Sequence, residues 1–257
     1  MSKKITIVIK IGGSSLESYE KIVKEISLLI KSGKQVIIVH GGGKLISSWS
    51  KQMNKEVKFI NGLRYTDDEA LEIATGILAG VVNKKIVASF LKNNINAIGQ
   101  SGVDANLLIG KRIGKELGNV GEIFKVNKSH INFLLTNNLI PVIAPIVTDI
   151  KNKNKLLNVN ADNAAIAIAI AIAAEKCILL SDIDGVLDQN GVIINELTIK
   201  DANRLINEKI ISEGMIPKVK NCIKAAKLGV TCHIANSNRS SILKDIFKEK
   251  AIQTIIK

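Results

Sequence analysis

With 257 residues, 46% of them hydrophobic, the chain can bury a full core as one large α/β domain or as two lobes. No uninterrupted apolar run reaches the length of a membrane span; the longest, Ala164–Ala174, has 11 residues and lies between Asp162 and Glu175. The net charge of +13 accompanies only 3% aromatic residues and lysines scattered over nearly every expected helix, whereas a nucleic-acid binder clusters its cations and interleaves stacking rings. A lysine-rich solvated surface with a general attraction for anions is the expectation, with neither nucleic acid nor membrane as partner. Cys177, Cys222 and Cys232 are odd in number and form no CxxC pair, and Met-Ser-Lys-Lys leads into the first strand without a signal-peptide apolar region. Reduced thiols and a cytoplasmic location are expected.

Strand-like apolar runs alternate with helix-length segments. Residues 5–11 read as a strand, 19–31 as a helix, 35–40 as a strand and 44–53 as a helix. Residues 67–93 form a long helical stretch with a break expected near Gly80. Strands follow at 97–100, 107–111 and 120–126, the last two as a hairpin, then a helix at 127–137 and a strand at 140–143. The polar stretch 149–155 reads as a surface hairpin tip. Residues 161–174 carry two conflicting signals: isoleucine alternates with alanine at the period of a strand, but Asp162-Asn163 is a good helix start and alanine is the best helix former. A helix buried on most sides is the choice. Beyond it lie a strand (177–181), helices at 198–208 and 218–228, a strand at 231–235 and a helix at 240–247. Repeated β–α units imply a largely parallel sheet covered on both faces. A division near residue 173 gives an N-terminal lobe (1–173) and a C-terminal lobe (174–257).

The chemistry-bearing residues sit at strand ends. Lys10 closes the apolar run Ile5-Thr-Ile-Val-Ile-Lys10, where its ammonium must reach water or an anion, and Gly12-Gly13 turns directly after it. His40-Gly-Gly-Gly43 follows the second strand and opens a helix, whose N-terminus favours negative charge. Neither a P-loop nor the GxGxxG spacing is present. His40 is either a general base or, as preferred here, a packing residue at a strand end. Arg64, in Asn61-Gly-Leu-Arg64, is one of only four arginines; a forked grip on a carboxylate and an ordinary surface role are equally open. In Asn158-Val-Asn-Ala-Asp162 the aspartate is either a helix N-cap or a carboxylate that holds lysines in place. Asp182 and Asp184 have a spacing common in plain turns, and no metal ligand is assigned. Gly214-Met-Ile-Pro-Lys218 places a second lysine just inside a helix start.

In this order, Val8-Ile-Lys10-Ile-Gly-Gly13, Val39-His-Gly-Gly-Gly43, Asn61-Gly-Leu-Arg64, Leu78-Ala-Gly-Val-Val-Asn-Lys84, Asn158-Val-Asn-Ala-Asp162, Leu179-Leu-Ser-Asp182 and Gly214-Met-Ile-Pro-Lys218 resemble the amino-acid kinase family over essentially the whole chain. The resemblance implies an αβα sandwich with an open, mainly parallel eight-stranded sheet. It implies ATP-dependent phosphorylation of the γ-carboxylate of N-acetyl-L-glutamate, an arginine-biosynthetic step, with Mg2+ carried on the nucleotide phosphates. On the same basis Lys10 and Lys218 contact the transferring phosphoryl group, oriented by Asp162. Gly42, Gly43, Arg64, Asn158 and Asn160 hold the acceptor in the N-terminal lobe. Gly12, Gly13, Ser181, Asp182, Ile183, Gly185, Val186, Ile210, Gly214 and Met215 enclose the nucleotide in the C-terminal lobe. A first strand beginning at residue 5 resembles the short, homodimeric members, with the long helix after Asp67 as the expected dimer contact. Competing readings are a kinase for aminoadipate or free glutamate, a non-catalytic ligand-binding member, and, from the charge, a nucleic-acid binder.

Overall fold

The computed structural model describes residues 5–12, 16–212 and 214–257. In chain order the elements are β1 (Thr6–Ile11), α1 (Leu16–Lys31), β2 (Gln35–His40), α2 (Gly43–Gln52), and the short strands β3 (Phe59–Ile60) and β4 (Leu63–Arg64). Next come α3 (Asp68–Thr75), a π-helical stretch (Gly76–Val82), α4 (Asn83–Lys92), β5 (Ala97–Ser101), β6 (Leu108–Arg112) and β7 (Val120–Val126). They are followed by α5 (Lys128–Thr136), β8 (Ile140–Ala144), β9 (Ile146–Asp149), β10 (Leu156–Val159), α6 (Ala161–Ala171) and β11 (Lys176–Ser181). The chain continues through β12 (Glu196–Leu197), α7 (Ile199–Asn207), α8 (Ile216–Ala226), β13 (Thr231–Asn236), α9 (Ile242–Phe247) and β14 (Gln253–Ile256).

Eight strands form one sheet in the order β12-β14-β13-β11-β1-β2-β8-β5, parallel at every pairing except β13 with β14. Strands that are apolar on both faces need cover on both. Ile7, Ile9 and Ile11 of β1 enter one core with α1, α4 and α9, while Val8 enters the other with α6 and α8. Burying one such side chain contributes about 1.5–3 kcal/mol, enough to fix strand orientation. Lys10 shares the Val8 face, because side chains two apart in a strand lie on one side, and is thereby aimed at α6 and α8. The seam between the expected lobes is the β1–β11 pairing: strands before residue 173 lie to one side of it and those after to the other.

The ambiguous stretch 161–174 is helical over Ala161–Ala171, with five of its residues wholly or almost wholly buried against the sheet. Asn160 supplies the capping oxygen there, accepting from the Asp162 and Asn163 amides, so of the two readings open for Asp162 the carboxylate that holds lysines remains and the N-cap does not. The 149–155 tip does join antiparallel β9 and β10, and with β6 and β7 these strands close a small barrel beside the sheet. The break expected near Gly80 is instead a π-helical segment through which the helix runs on from Asp68 to Lys92. That 25-residue helix reaches a mean hydropathy of 1.4, long and apolar enough by composition to cross a membrane, although no uninterrupted apolar run does. Its Ile77, Leu78, Val82, Ile86 and Phe90 are buried in the core under the sheet.

Candidate functional site

The carboxyl ends of β1 and β2, the start of α2 and the start of α6 meet at a cleft of 680 Å³. This is where ligands bind in open parallel sheets, because loops there diverge to opposite faces. Its walls are the Gly41–Gly43 turn, the β3–β4 hairpin and the barrel residues Val120, Asn158 and Val159. Lys10, Lys44, Lys51 and Arg64 face it, against a single lining carboxylate among the described residues, Asp162.

Lys10 and Lys218, from opposite ends of the chain, converge on that carboxylate. Lys10 Nζ lies 3.0 Å from Asp162 Oδ1, and Lys218 Nζ hydrogen-bonds Oδ2. The three side chains are only 12–13% exposed. Burial alone would raise the Asp162 pKa, but the charges of Lys10 and Lys218, with their hydrogen bonds, outweigh it and hold the carboxyl well below the usual carboxylate range. Asp162 is therefore ionised at any working pH. Pro217 near the start of α8 is pre-organised for a helical first turn, which sets where Lys218 leaves the backbone. Asn221 on α8 bonds Asn163 on α6, so a second bridge flanks the Lys218–Asp162 pair.

Arg64 is held on three sides. Its Nη2 donates to Gly43 O (3.0 Å) and to Ser47 Oγ (2.8 Å), and its guanidinium lies 4.8 Å above the ring of Phe59, its cross-strand partner. Among the described residues no acceptor takes the Nε or Nη1 hydrogens, leaving that side of the fork available for a carboxylate. Thr66 donates to Arg64 O and accepts from Asn158 Nδ2, tying the hairpin to β10. Asn160 spends its side-chain oxygen on the α6 cap, and its residue lines the cleft. Gly42 caps α2 without a side chain, and no acidic residue occupies the first turn, so the helix opens into the cleft with its amides unscreened.

The residues expected around a nucleotide surround the adjoining ends of β11 and β13. Gly12 N donates to Leu180 O, bringing the end of β1 against that of β11. Ser181 ends β11, with its hydroxyl bonded to Asp182 Oδ1 and its carbonyl accepting from Ser237. Ile183 is exposed, whereas Val186 is buried in the core and gives its N–H to Thr254 Oγ1. Met215 is buried too, Ile210 packs partly buried on the core, and Gly214 is exposed between them. Asp184 pairs with Arg239 at 2.6 Å. None of these lines the 680 Å³ cleft apart from its shared corner at Lys10 and Asp162. Gly13 lies outside the described residues. Ser47, Phe59, Thr66, Lys44 and Lys51 were not anticipated from sequence; the signal available was helical spacing from Gly43 for Ser47 and Lys51 and the cross-strand pairing with Arg64 for Phe59.

A cationic cleft at strand ends, with two ammonium groups clasping one buried carboxylate, defines a small-molecule phosphotransferase site. The model of the amino acid kinase family matches residues 6–236, and this chain belongs to that family. It is 39% identical over 269 residues to the acetylglutamate kinase of Methanoculleus marisnigri, covering 98% of this chain and 92% of that protein. It is 42% identical over 260 residues to the acetylglutamate kinase of Hydrogenobaculum sp., covering 97% and 90%. Among solved structures, that of smu.665 from Streptococcus mutans UA159 superposes with a TM-score of 0.80 at 30% identity, covering 90% of this chain and 94% of the other. The N-acetylglutamate synthase of Neisseria gonorrhoeae, solved with coenzyme A and N-acetyl-glutamate, shares the fold at TM-score 0.87 and 24% identity, with 98% of this chain aligned to 59% of that one.

Proposed function

We propose that the protein transfers the γ-phosphoryl group of ATP to the γ-carboxylate of N-acetyl-L-glutamate, forming N-acetyl-L-glutamyl 5-phosphate for arginine biosynthesis. The observation that carries this reading is the convergence of Lys10 and Lys218 on Asp162 at the edge of a cleft that also holds Arg64. An acceptor γ-carboxylate with a pKa of about 4.3 is ionised at neutral pH and attacks without a general base. The protein's tasks are then alignment and charge stabilisation. Lys10 and Lys218 meet the developing charge on the transferring phosphoryl group, and Asp162 fixes their positions. The Gly42 and Gly43 amides donate to phosphate and acceptor. The free side of Arg64, with Asn158 and Asn160, grips the acceptor's α-carboxylate and acetamido groups. Gly12, Gly13, Ser181–Val186 and Ile210–Met215 enclose the nucleotide, with Val186 contributing shape because its amide is already bonded to Thr254.

Mg2+ carried on the nucleotide phosphates would neutralise part of their charge. Asp162 has both oxygens committed to lysines, and among the described residues no group of three or more His, Cys, Asp or Glu could hold a metal ion. That donor set fits a cation carried by its substrate. The protein acts as a homodimer built on the helix Asp68–Lys92: only 44% of its most apolar window is buried within one chain, leaving surface for a second copy to cover. A cytoplasmic location fits the three free, buried cysteines.

The test is a hydroxamate assay with ATP and a panel of N-acetyl-L-glutamate, glutamate and aminoadipate acceptors. Acyl phosphate should form chiefly with N-acetyl-L-glutamate; equal or better turnover of glutamate would refute the assignment, and ATP binding without any acyl phosphate would mark a non-catalytic member. Sedimentation should give a dimer, and a hexamer would exclude the helix-mediated pairing.

A further inference from the structure

Behind the Gly41–Gly43 turn, away from the cleft, three elements meet around one imidazole. His40 ends β2 with no exposed surface, and its Nδ1 lies 3.1 Å from Gly41 O. Its Nε2 lies 3.1 Å from Nδ2 of Asn83, equally buried, where the π-helical stretch passes into α4. Asn83 Nδ2 also donates to Val142 O on β8 at 2.9 Å. A carbonyl only accepts, so the amide must turn its NH2 toward Val142, and the second hydrogen of that NH2 then serves His40 at 3.1 Å, nearer than the Gln100 carbonyl at 3.4 Å. The imidazole Nε2 is therefore the acceptor, and Nδ1 carries the proton it donates to Gly41 O. Burial draws the His40 pKa down to about 4, which agrees with a neutral ring.

The surroundings are shaped to keep this arrangement. A Cβ on Gly99 would stand 1.9 Å from Asn83 Oδ1, so no side chain is compatible with the amide where it is. Lys84 bonds both Asn83 Oδ1 (3.3 Å) and Gly99 O (3.1 Å). On the other side, a Cβ on Gly42 would come within 2.8 Å of Leu78 and 3.4 Å of Val82. The π-helical geometry places Leu78 and Val82 against the turn while delivering Asn83 to His40 one residue later, and such wide turns recur where a helix must re-aim side chains at a site.

We propose that Asn83 and His40 are positioning residues: a buried brace, made possible by Gly99 and the π-helical stretch, that fixes the Gly41 peptide and so orients the turn amides for phosphoryl transfer. The inference rests on the proposed role of that turn as phosphate donor. Neither residue touches substrate; both act through the Gly41 carbonyl.

Histidine-selective 15N NMR on the unmodified protein at neutral pH should show His40 as a neutral ring protonated on Nδ1; an Nε2-protonated or charged ring overturns the brace, whether or not any variant folds. That spectrum reads the brace without catalysis, so its failure is distinct from a failure of the kinase reading, which the acceptor panel decides. In kinetics, His40→Phe and Asn83→Leu should each lower kcat about tenfold or more while KM for ATP stays within about twofold, because the loss falls in the transition state. The double variant should be no slower than the slower single, as expected of two residues on one link. Phe90→Leu, a buried change in the same helix away from the turn, should lower Tm comparably and leave kcat unchanged. Single variants with kcat within about twofold of the parent, losses that multiply in the double, or an equal kcat loss in Phe90→Leu would each overturn the inference.

Discussion

Replacing Asp162 by asparagine keeps the shape of the side chain and removes the one charge between two ammonium groups. Both lysines contact the same carboxylate, Lys10 at 3.0 Å, and all three groups are nearly buried. Their nitrogens must then stand within about 5–7 Å of each other, where two like charges repel by roughly 2–3 kcal/mol at an effective dielectric near 20. Breaking a buried pair typically costs about 3–5 kcal/mol, since the surviving charge keeps its desolvation penalty. Here two charges are orphaned, but each can swing toward the cleft, so about 3–5 kcal/mol is the expected total rather than twice that. For a chain of this size that lowers Tm by roughly 6–20 °C. Turnover should fall by at least about a hundredfold, because the lysines no longer stand where charge develops. Polyphosphate should partly replace the missing anion, so ATP should raise the variant's Tm by more than it raises the parent's. Thermal melts with and without ATP, together with the hydroxamate assay, measure all three effects. A variant melting within about 2 °C of the parent with kcat within about threefold would refute the reasoning.

Lys218→Ala should lower kcat far more than apparent ATP affinity, because its contact strengthens as charge develops; a loss confined to ATP affinity in steady-state kinetics contradicts this. Arg64→Lys should chiefly raise the acceptor KM by removing the forked grip, and an unchanged KM removes Arg64 from the acceptor site. Ser47→Ala, which deletes one of the two anchors on Arg64 Nη2, should raise the acceptor KM several-fold and leave kcat nearly intact; equal effects on both constants would point to a structural role only. Acid should destabilise the fold earlier through histidines than through Asp162. Burial lowers both His40 and His233 from 6.5 to about 4, so the unfolded chain binds more protons between those values. Their stabilising contribution is intact above about pH 6.5 and is lost progressively toward pH 4, at about 3 kcal/mol for each histidine. Asp162, depressed instead, stays charged throughout that window. Urea titrations at a series of pH values check this, and a profile flat from pH 6.5 to about 4.5 would show that the rings are not buried as described.

Much of the architecture was legible because burial on two faces leaves a strong pattern. β1 and β2 are near-continuous apolar runs, and their glycine turns mark strand ends without reference to anything distant. The stretch 161–174 shows where pattern alone divides: its period-2 isoleucines mimic a strand only because a helix covered on most sides can be apolar at every position. β12, β14 and the β3–β4 pair escaped because two to four residues carry no usable period, and their pairing is dictated by partners elsewhere in the chain. The π-helical stretch had a trace in Gly76 and Gly80, but glycines in a helix foretell a break as readily as a widened turn. At the site, Lys10, Lys218, Arg64 and Asp162 stood out as charges in apolar or sparse contexts. For Asp162 the cap and the lysine clasp nevertheless stayed open, because either Asp162 or Asn160 can cap a helix and only the geometry at the start of α6 decides which oxygen faces the amides. Ser47 and Thr66 were not singled out, and Asn83 stood only within the string Leu78–Lys84 with no role of its own, since small polar residues become informative only when a fold shows what they touch.

The seam at the middle of the sheet carries a consequence for biogenesis. β1 is synthesised long before β11, yet one of its two hydrogen-bonding edges belongs to that later strand, with Ile7 opposite Lys176. At about 5–20 residues per second, roughly 10–30 s pass on the ribosome before that partner has been made. Through that interval the nascent N-terminal half carries a bare, strongly apolar strand edge, the kind of surface that recruits holdase chaperones or pairs with a neighbouring chain. Yield of active enzyme should therefore respond more to translation speed and chaperone supply than the stability of the finished molecule would indicate.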